Sequence, residues 1–175
     1  MNWNINTLIS LFAIAIYSTL FVVVAIAKPQ THERKTFRYY LLSMVFWSFS
    51  ALMVFKGGKD ALFWFKLMVP SGLASLVFMF NFVQAVTSRK VSWARYIYFF
   101  TIVITLLSVF TDTTIKSVTV ENGFITQYEL GPLMLLTAIP SYVLTILYLS
   151  MLRKNYITSK DMTQRNRLRY LMLGM

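Results

Sequence analysis

The stretch LISLFAIAIYSTLFVVVAIA, Leu8 to Ala27, carries no charged side chain over its whole length. A helix rises 1.5 Å per residue, so about 20 apolar residues cross roughly 30 Å of hydrocarbon. This run meets that length, and Lys28-Pro29 closes it with a charge and a helix breaker. It is too long for the apolar core of a cleaved secretory signal, and Met1 to Thr7 holds no Lys or Arg, so it reads as a retained first helix.

Working outward, four more runs follow. The second extends from about Phe37 to Phe55, with Arg38 near its start and Lys56-Gly57-Gly58 after its end. The third, Ala61 to Val86, contains Lys66 and Pro70; the fourth runs from about Ala94 to Thr111 and the fifth from Leu130 to Met151. Tyr170 to Met175 then opens an apolar sixth run. Backbone entering hydrocarbon needs a continuing helix to satisfy its polar groups, so the chain is expected to be a fragment or truncated product. The other reading is a short interfacial tail after a finished five-helix protein. The expected fold is an all-α polytopic membrane protein, with five complete transmembrane helices (8–27, 37–55, 61–86, 94–111, 130–151) and the start of a sixth (170–175).

Composition agrees with lipid as the main solvent. The chain is 57% hydrophobic and 13% charged, against about 25% charged in soluble domains, and its mean hydropathy is +0.61. It has no Cys and a single His, His32, in a charged loop. Disulfides, thiol chemistry and imidazole metal clusters are therefore excluded, and neither a metal nor a cofactor is expected.

A net charge of +11 raises the question of nucleic acid, and its distribution answers it. Thirteen of the 17 Lys and Arg lie in Lys28–Arg38, Thr87–Arg95 and Leu152–Arg169, while the intervening loops hold three. This bias predicts basic loops in the cytoplasm and the N-terminus outside, with the bilayer rather than nucleic acid as partner. Trp3, Trp64 and Trp93 suit aromatic belt positions near span ends. In the longest outer loop, Val118-Thr119-Val120 precedes Glu121-Asn122-Gly123, a pattern that can make a hairpin with an Asn-Gly turn. An irregular connector is the favoured expectation.

The residues that hydrocarbon should reject are the candidates for function. Lys66 lies about 7 to 8 Å inside the third run. Its stem can snorkel to the headgroups, or its ammonium can face a cavity, contact an anionic ligand, or pair with Asp112 or Glu129. Pro70, one turn on, opens the helix locally. At 100 degrees per residue Gln84 shares the face of Lys66, and Asn81 lies about 60 degrees away; both are expected to bond between helices. Thr101, Thr105, Ser108 and Asp112 form a stripe on the fourth helix, and Thr137, Ser141, Thr145 and Tyr148 one on the fifth, around Pro140. Small hydroxyl residues allow close packing and can satisfy carbonyls freed by proline. A ligand crevice between these two helices is the second reading. Trp47, mid-span in the second helix with Ser43 and Ser50 on its face, is expected to pack between helices or to wall a hydrophobic ligand.

Paired carboxylates within the membrane, a base beside a Ser nucleophile and a glycine-rich phosphate loop are all missing from this sequence. Enzyme activity in this stretch is therefore not expected. Transport or channel activity finds prolines in helices three and five, but neither repeated halves nor a deep carboxylate for ion coupling.

The ordered features resemble the seven-transmembrane N-terminal sensor region of histidine kinases and related signalling proteins. They are Trp47 followed by Ala51-Leu52-Met53, then Leu62-Phe63-Trp64-Phe65-Lys66, Thr87-Ser88-Arg89, Thr111-Asp112 and Gly131-Pro132. The basic lead-in Gln164-Arg165-Asn166-Arg167-Leu168-Arg169-Tyr170-Leu171-Met172-Leu173-Gly174 completes the set. Leu73-Ala74-Ser75-Leu76-Val77 stands where the family often carries a proline, and Asp112 where Asn is more frequent. The resemblance covers nearly the whole chain, as the N-terminal part of such a domain, and implies joined output modules such as PAS, kinase or diguanylate cyclase domains. It implies a sensory input region in a prokaryotic plasma membrane, relaying an extracellular or intramembrane signal to a cytoplasmic signalling domain in cis or in trans. The expected partners are the bilayer, a small ligand, that output domain and a second copy in a homodimer. The candidate ligand or coupling residues are Lys66, Trp47, Asp112, Ser108, Thr105, Ser141 and Tyr148. A small transporter or channel component and an accessory membrane interaction protein are the alternatives.

Overall fold

In a computed structural model, described for residues 4–89 and 91–173, the chain forms six helices and one hairpin. The order is α1 (Ile5–Ile26), α2 (His32–Lys56), α3 (Ala61–Thr87), α4 (Ala94–Phe110), β1 (Ile115–Glu121), β2 (Phe124–Leu130), α5 (Met134–Thr158) and α6 (Met162–Leu173). Trp3 and the last two residues of the expected sixth span, Gly174 and Met175, lie outside the described residues.

Four of these helices, α1, α2, α3 and α5, are long and apolar enough to cross a membrane. Where five complete spans are expected, the described residues hold four helices of that length and one shorter apolar helix. With 17 residues, α4 reaches only about 26 Å at 1.5 Å per residue. The sixth element begins at Met162 rather than Tyr170. Asp161 Oδ1 accepts from Thr163 N–H at 2.9 Å, so the basic lead-in is itself helical, and α6 as described is too short and polar to be a span.

The central element is α3. It packs against α2, α4, α5 and β1, whereas α4 and α5 both lie on α3 rather than on each other. The buried apolar cluster joins the C-terminal half of α3 (Val77, Phe80, Val83) to α5 (Leu144, Leu152) and Leu168 of α6. By contrast α1 buries only Thr7 and Ser10 among its described residues. Phe12 and Ile16 of α1, Phe110 of α4, and Leu135 and Tyr142 of α5 all point away from the bundle, as expected where lipid replaces water.

The Asp112–Glu129 loop is not an irregular connector, and the fold is therefore not wholly α-helical. Strands β1 and β2 pair antiparallel from Ile115 opposite Leu130 to Glu121 opposite Phe124, with two register shifts. Asn122 (φ 52°) and Gly123 (φ 76°) make the turn, the left-handed pair that a two-residue hairpin demands. The tip reaches the start of α1: Asn4 Nδ2 donates to the Asn122 carbonyl, and Asn6 Nδ2 to that of Gly123 at 3.1 Å. A Cβ on Gly57 would lie 3.7 Å from Val120, so the hairpin also covers the α2–α3 turn. It forms a strap across one end of the bundle, hereafter the hairpin end; Lys28–Arg38, Thr87–Arg95 and the α5–α6 junction form the opposite, basic end.

Candidate functional site

At the hairpin end, three of the expected residues meet. Lys66 is 9% exposed, and its ammonium donates to Asp112 Oδ1 at 2.6 Å. The two side chains differ sharply in exposure, 11% for Lys66 and 72% for Asp112. Glu129, the other partner considered, instead accepts from Lys116 Nζ at 2.8 Å on the hairpin surface. That bond and the Glu129 charge raise the Lys116 pKa.

Pro70 explains the third member. Lacking an N–H, it leaves the carbonyl four residues earlier, that of Lys66, without its helical donor. Ser108 Oγ, fully buried, supplies one at 3.0 Å, and lies 2.9 Å from Thr114 Oγ1. Thr114 is buried as well, and its carbonyl accepts from Gly131 N–H at 2.9 Å. The proline in α3, the end of α4 and the entry to α5 therefore share one hydrogen-bonded junction. Gly131 has to be glycine here, because a Cβ would run into the Thr113 backbone.

The remaining candidates separate into two places. Trp47, Ser141 and Tyr148 line an open cavity of about 880 Å³ bounded by α1, α2, α3, α5 and α6. Its walls also carry Tyr17, Tyr40 and Tyr170, three aromatics outside the expected set of candidates. Trp47 Nε1 faces Gly72, where a Cβ would be 3.6 Å away. Ser141 Oγ donates to the Thr137 carbonyl at 2.9 Å, and Thr137 Oγ1 to that of Met134 at 2.7 Å. Their hydroxyl protons are spent within α5, so the cavity presents mainly aromatic and apolar surface.

Thr105 lies elsewhere, in a groove between α3 and α4 with Asn81 and Tyr98. The expected crevice between helices four and five is replaced by two separate recesses, because α3 lies between them. Asn81 accepts from the Tyr98 hydroxyl, and Gln84 Oε1 accepts from Val91 N–H at 2.9 Å. Lys66, Asn81 and Gln84 thus all turn toward α4 or its flanks. Among the described residues, every buried side-chain nitrogen or oxygen has a partner.

At the basic end, Arg167 of α6 pairs with Glu33 in the first turn of α2. This contact links the two ends of the sequence across the bundle and had no signal in hydropathy.

Searches of curated proteins and of solved structures return no match. The model of one family, described as the N-terminal 7TM region of histidine kinase, matches residues 9–175. With that match running from α1 through α6, the chain belongs to this family of multi-pass membrane sensor regions.

Proposed function

We propose that the chain is an N-outside sensory input region that binds a small amphiphilic or apolar ligand in the aromatic cavity and relays its presence to a cytoplasmic output domain. The observation that carries this reading is the composition of the cavity wall. Trp47, Ser141 and Tyr148 share it with Tyr170 and Leu171 of α6, the segment leading out of the described bundle. A ligand seated there touches the exit element directly, and one that binds two α6 positions unequally biases them by that difference in affinity.

The charge asymmetry supports the orientation, with the hairpin end outside and the basic end in the cytoplasm. In this reading α4 crosses as a short fourth span, α5 as the fifth, α6 begins a sixth, and the setting is a prokaryotic plasma membrane. Lys66, Asp112 and Ser108 stand at the outer end of α3 and α4, apart from the cavity wall, where Lys66 offers a cation to an anionic group that displaces Asp112.

Brominated octanoate tests the cavity in the reconstituted chain. Fluorescence quenching that saturates and is lost in Trp47→Phe supports occupancy; linear quenching unchanged by that substitution rejects it. The natural lack of cysteine permits spin labels at Lys35→Cys and Asn166→Cys. A change in their separation on saturation supports the relay, and an unchanged distance distribution rejects it.

A further inference from the structure

A second recess, of about 1000 Å³, opens at the basic end between α2, α3 and α4. Arg89, Arg95 and His32 stand on its wall, with the hydroxyls of Ser88 and Ser92. Glu33 is the one carboxylate there, and it is engaged by Arg167 from α6. The recess therefore carries an excess of positive charge and of hydrogen-bond donors.

Phe78, Asn81 and Tyr98 belong to this recess and also to the α3–α4 groove of about 470 Å³. The groove continues along α4 past Thr101 and Thr105. Both threonines donate to carbonyls of their own helix at 2.8 Å, Thr101 to Ile97 and Thr105 to Thr101. What they leave facing the groove is apolar, alongside Val77, Ile102 and Leu106. A basic, donor-rich chamber thus runs into an apolar channel along the membrane-facing side of α3 and α4.

From this continuity we infer a binding site for an anionic phospholipid, its phosphate headgroup held by Arg89 and Arg95 and one acyl chain laid between α3 and α4. Arginine suits the task because its planar fork donates two hydrogen bonds to phosphate oxygens. A free phosphate compound fits the chamber but leaves the groove unused, whereas a zwitterionic lipid fits the groove but forgoes the charge. The site is separate from the aromatic cavity and does not depend on its ligand.

Native mass spectrometry of the full chain in detergent, with equal amounts of phosphatidylglycerol and phosphatidylcholine, tests the assignment. Preferential retention of phosphatidylglycerol is expected. Arg89→Gln and Arg95→Gln should each lower it about fivefold, the equivalent of about 1 kcal/mol per basic residue at a membrane surface. The Arg89→Lys/Arg95→Lys pair should keep most of it, and Thr105→Trp, which fills the groove, should reduce retention of both lipids. Removing the same charge at Arg153 and Lys154 on α5 is the control and should leave the preference unchanged. Circular dichroism checks that each variant keeps its helix content. Equal retention of the two lipids, or equal loss in the α5 control, overturns the site. Displacement by millimolar pyrophosphate, with Thr105→Trp retaining lipid normally, makes the ligand a soluble phosphate and overturns the lipid assignment.

Discussion

Ser108 donates its hydroxyl to the backbone carbonyl of Lys66, the acceptor that Pro70 strips of its helical partner. A proline inside a membrane helix is tolerated where a neighbour restores the lost bond, and here the neighbour is on another helix. Ser108→Ala should therefore cost about 1–3 kcal/mol, the penalty for an unsatisfied buried polar group. Giving the Lys66 carbonyl back its helical N–H donor by Pro70→Ala in the same chain should recover most of the loss. A denaturation series in mixed micelles measures both, and equal stability of the Ser108→Ala and parent proteins would refute the repair.

The Lys66–Asp112 pair is asymmetric, and its two halves should respond differently. Lys66→Met strands a carboxylate that is already 72% exposed, so insertion should persist and stability change by less than about 1 kcal/mol. Asp112→Asn leaves a buried ammonium without its counter-charge and should cost more, about 1–3 kcal/mol. Thermal unfolding of the two variants side by side checks the order; the reverse order contradicts the burial on which it rests.

Two glycines predict opposite outcomes for the same substitution. Gly131→Ala drives a methyl into the Thr113 backbone, which must move. A loss of about 2–4 kcal/mol is expected, as for other overpacked or strained sites. Gly72→Ala places its methyl 3.6 Å from Trp47 Nε1, an ordinary contact, and should be neutral or slightly stabilising, since alanine favours the helix by about 1 kcal/mol. Expression and thermal stability of the pair separate the two.

The Arg167–Glu33 bridge ties α6 to α2. Arg167→Glu should loosen α6, and the exchanged pair Glu33→Arg/Arg167→Glu should tighten it again, by a coupling of about 0.5–1 kcal/mol for a partly exposed pair. Limited proteolysis across Ser159–Met162 reads the loosening. Reversing Arg165, Arg167 and Arg169 together should further disturb the orientation of this segment, visible as altered accessibility of tags on its two sides.

Long apolar runs were legible because hydrocarbon thickness leaves few alternatives, as Leu8 to Ala27 and Ala61 to Val86 show. Their ends were less so. Hydropathy starts the second helix at Phe37, but Thr31 caps it by accepting from Arg34 N–H at 3.3 Å, so the charged turn His32 to Thr36 is helical too. Leu130, apolar enough to begin a span, instead pairs with Ile115 in the hairpin, and α5 starts at Met134. At the site, periodicity could bring Ser108 and Asp112 to one side of their helix. It could not show which carbonyl Ser108 repairs, since that depends on how α4 crosses α3. The aromatic wall shared by Trp47 and Tyr170 was equally hidden, because a residue on α2 and one on α6 have no common period.

The strap formed by β1 and β2 has a mechanical consequence. It holds the start of α1 through Asn4 and Asn6, overlies the turn between α2 and α3, and joins α4 to α5. A bundle fastened at one end behaves like a pair of tweezers: displacement grows with distance from the clasp. Over the roughly 40 Å of a 27-residue helix such as α3, a tilt of about 5 degrees at the clasp becomes a shift of about 3.5 Å at the far end. Stiffness at one surface is thereby converted into reach at the other.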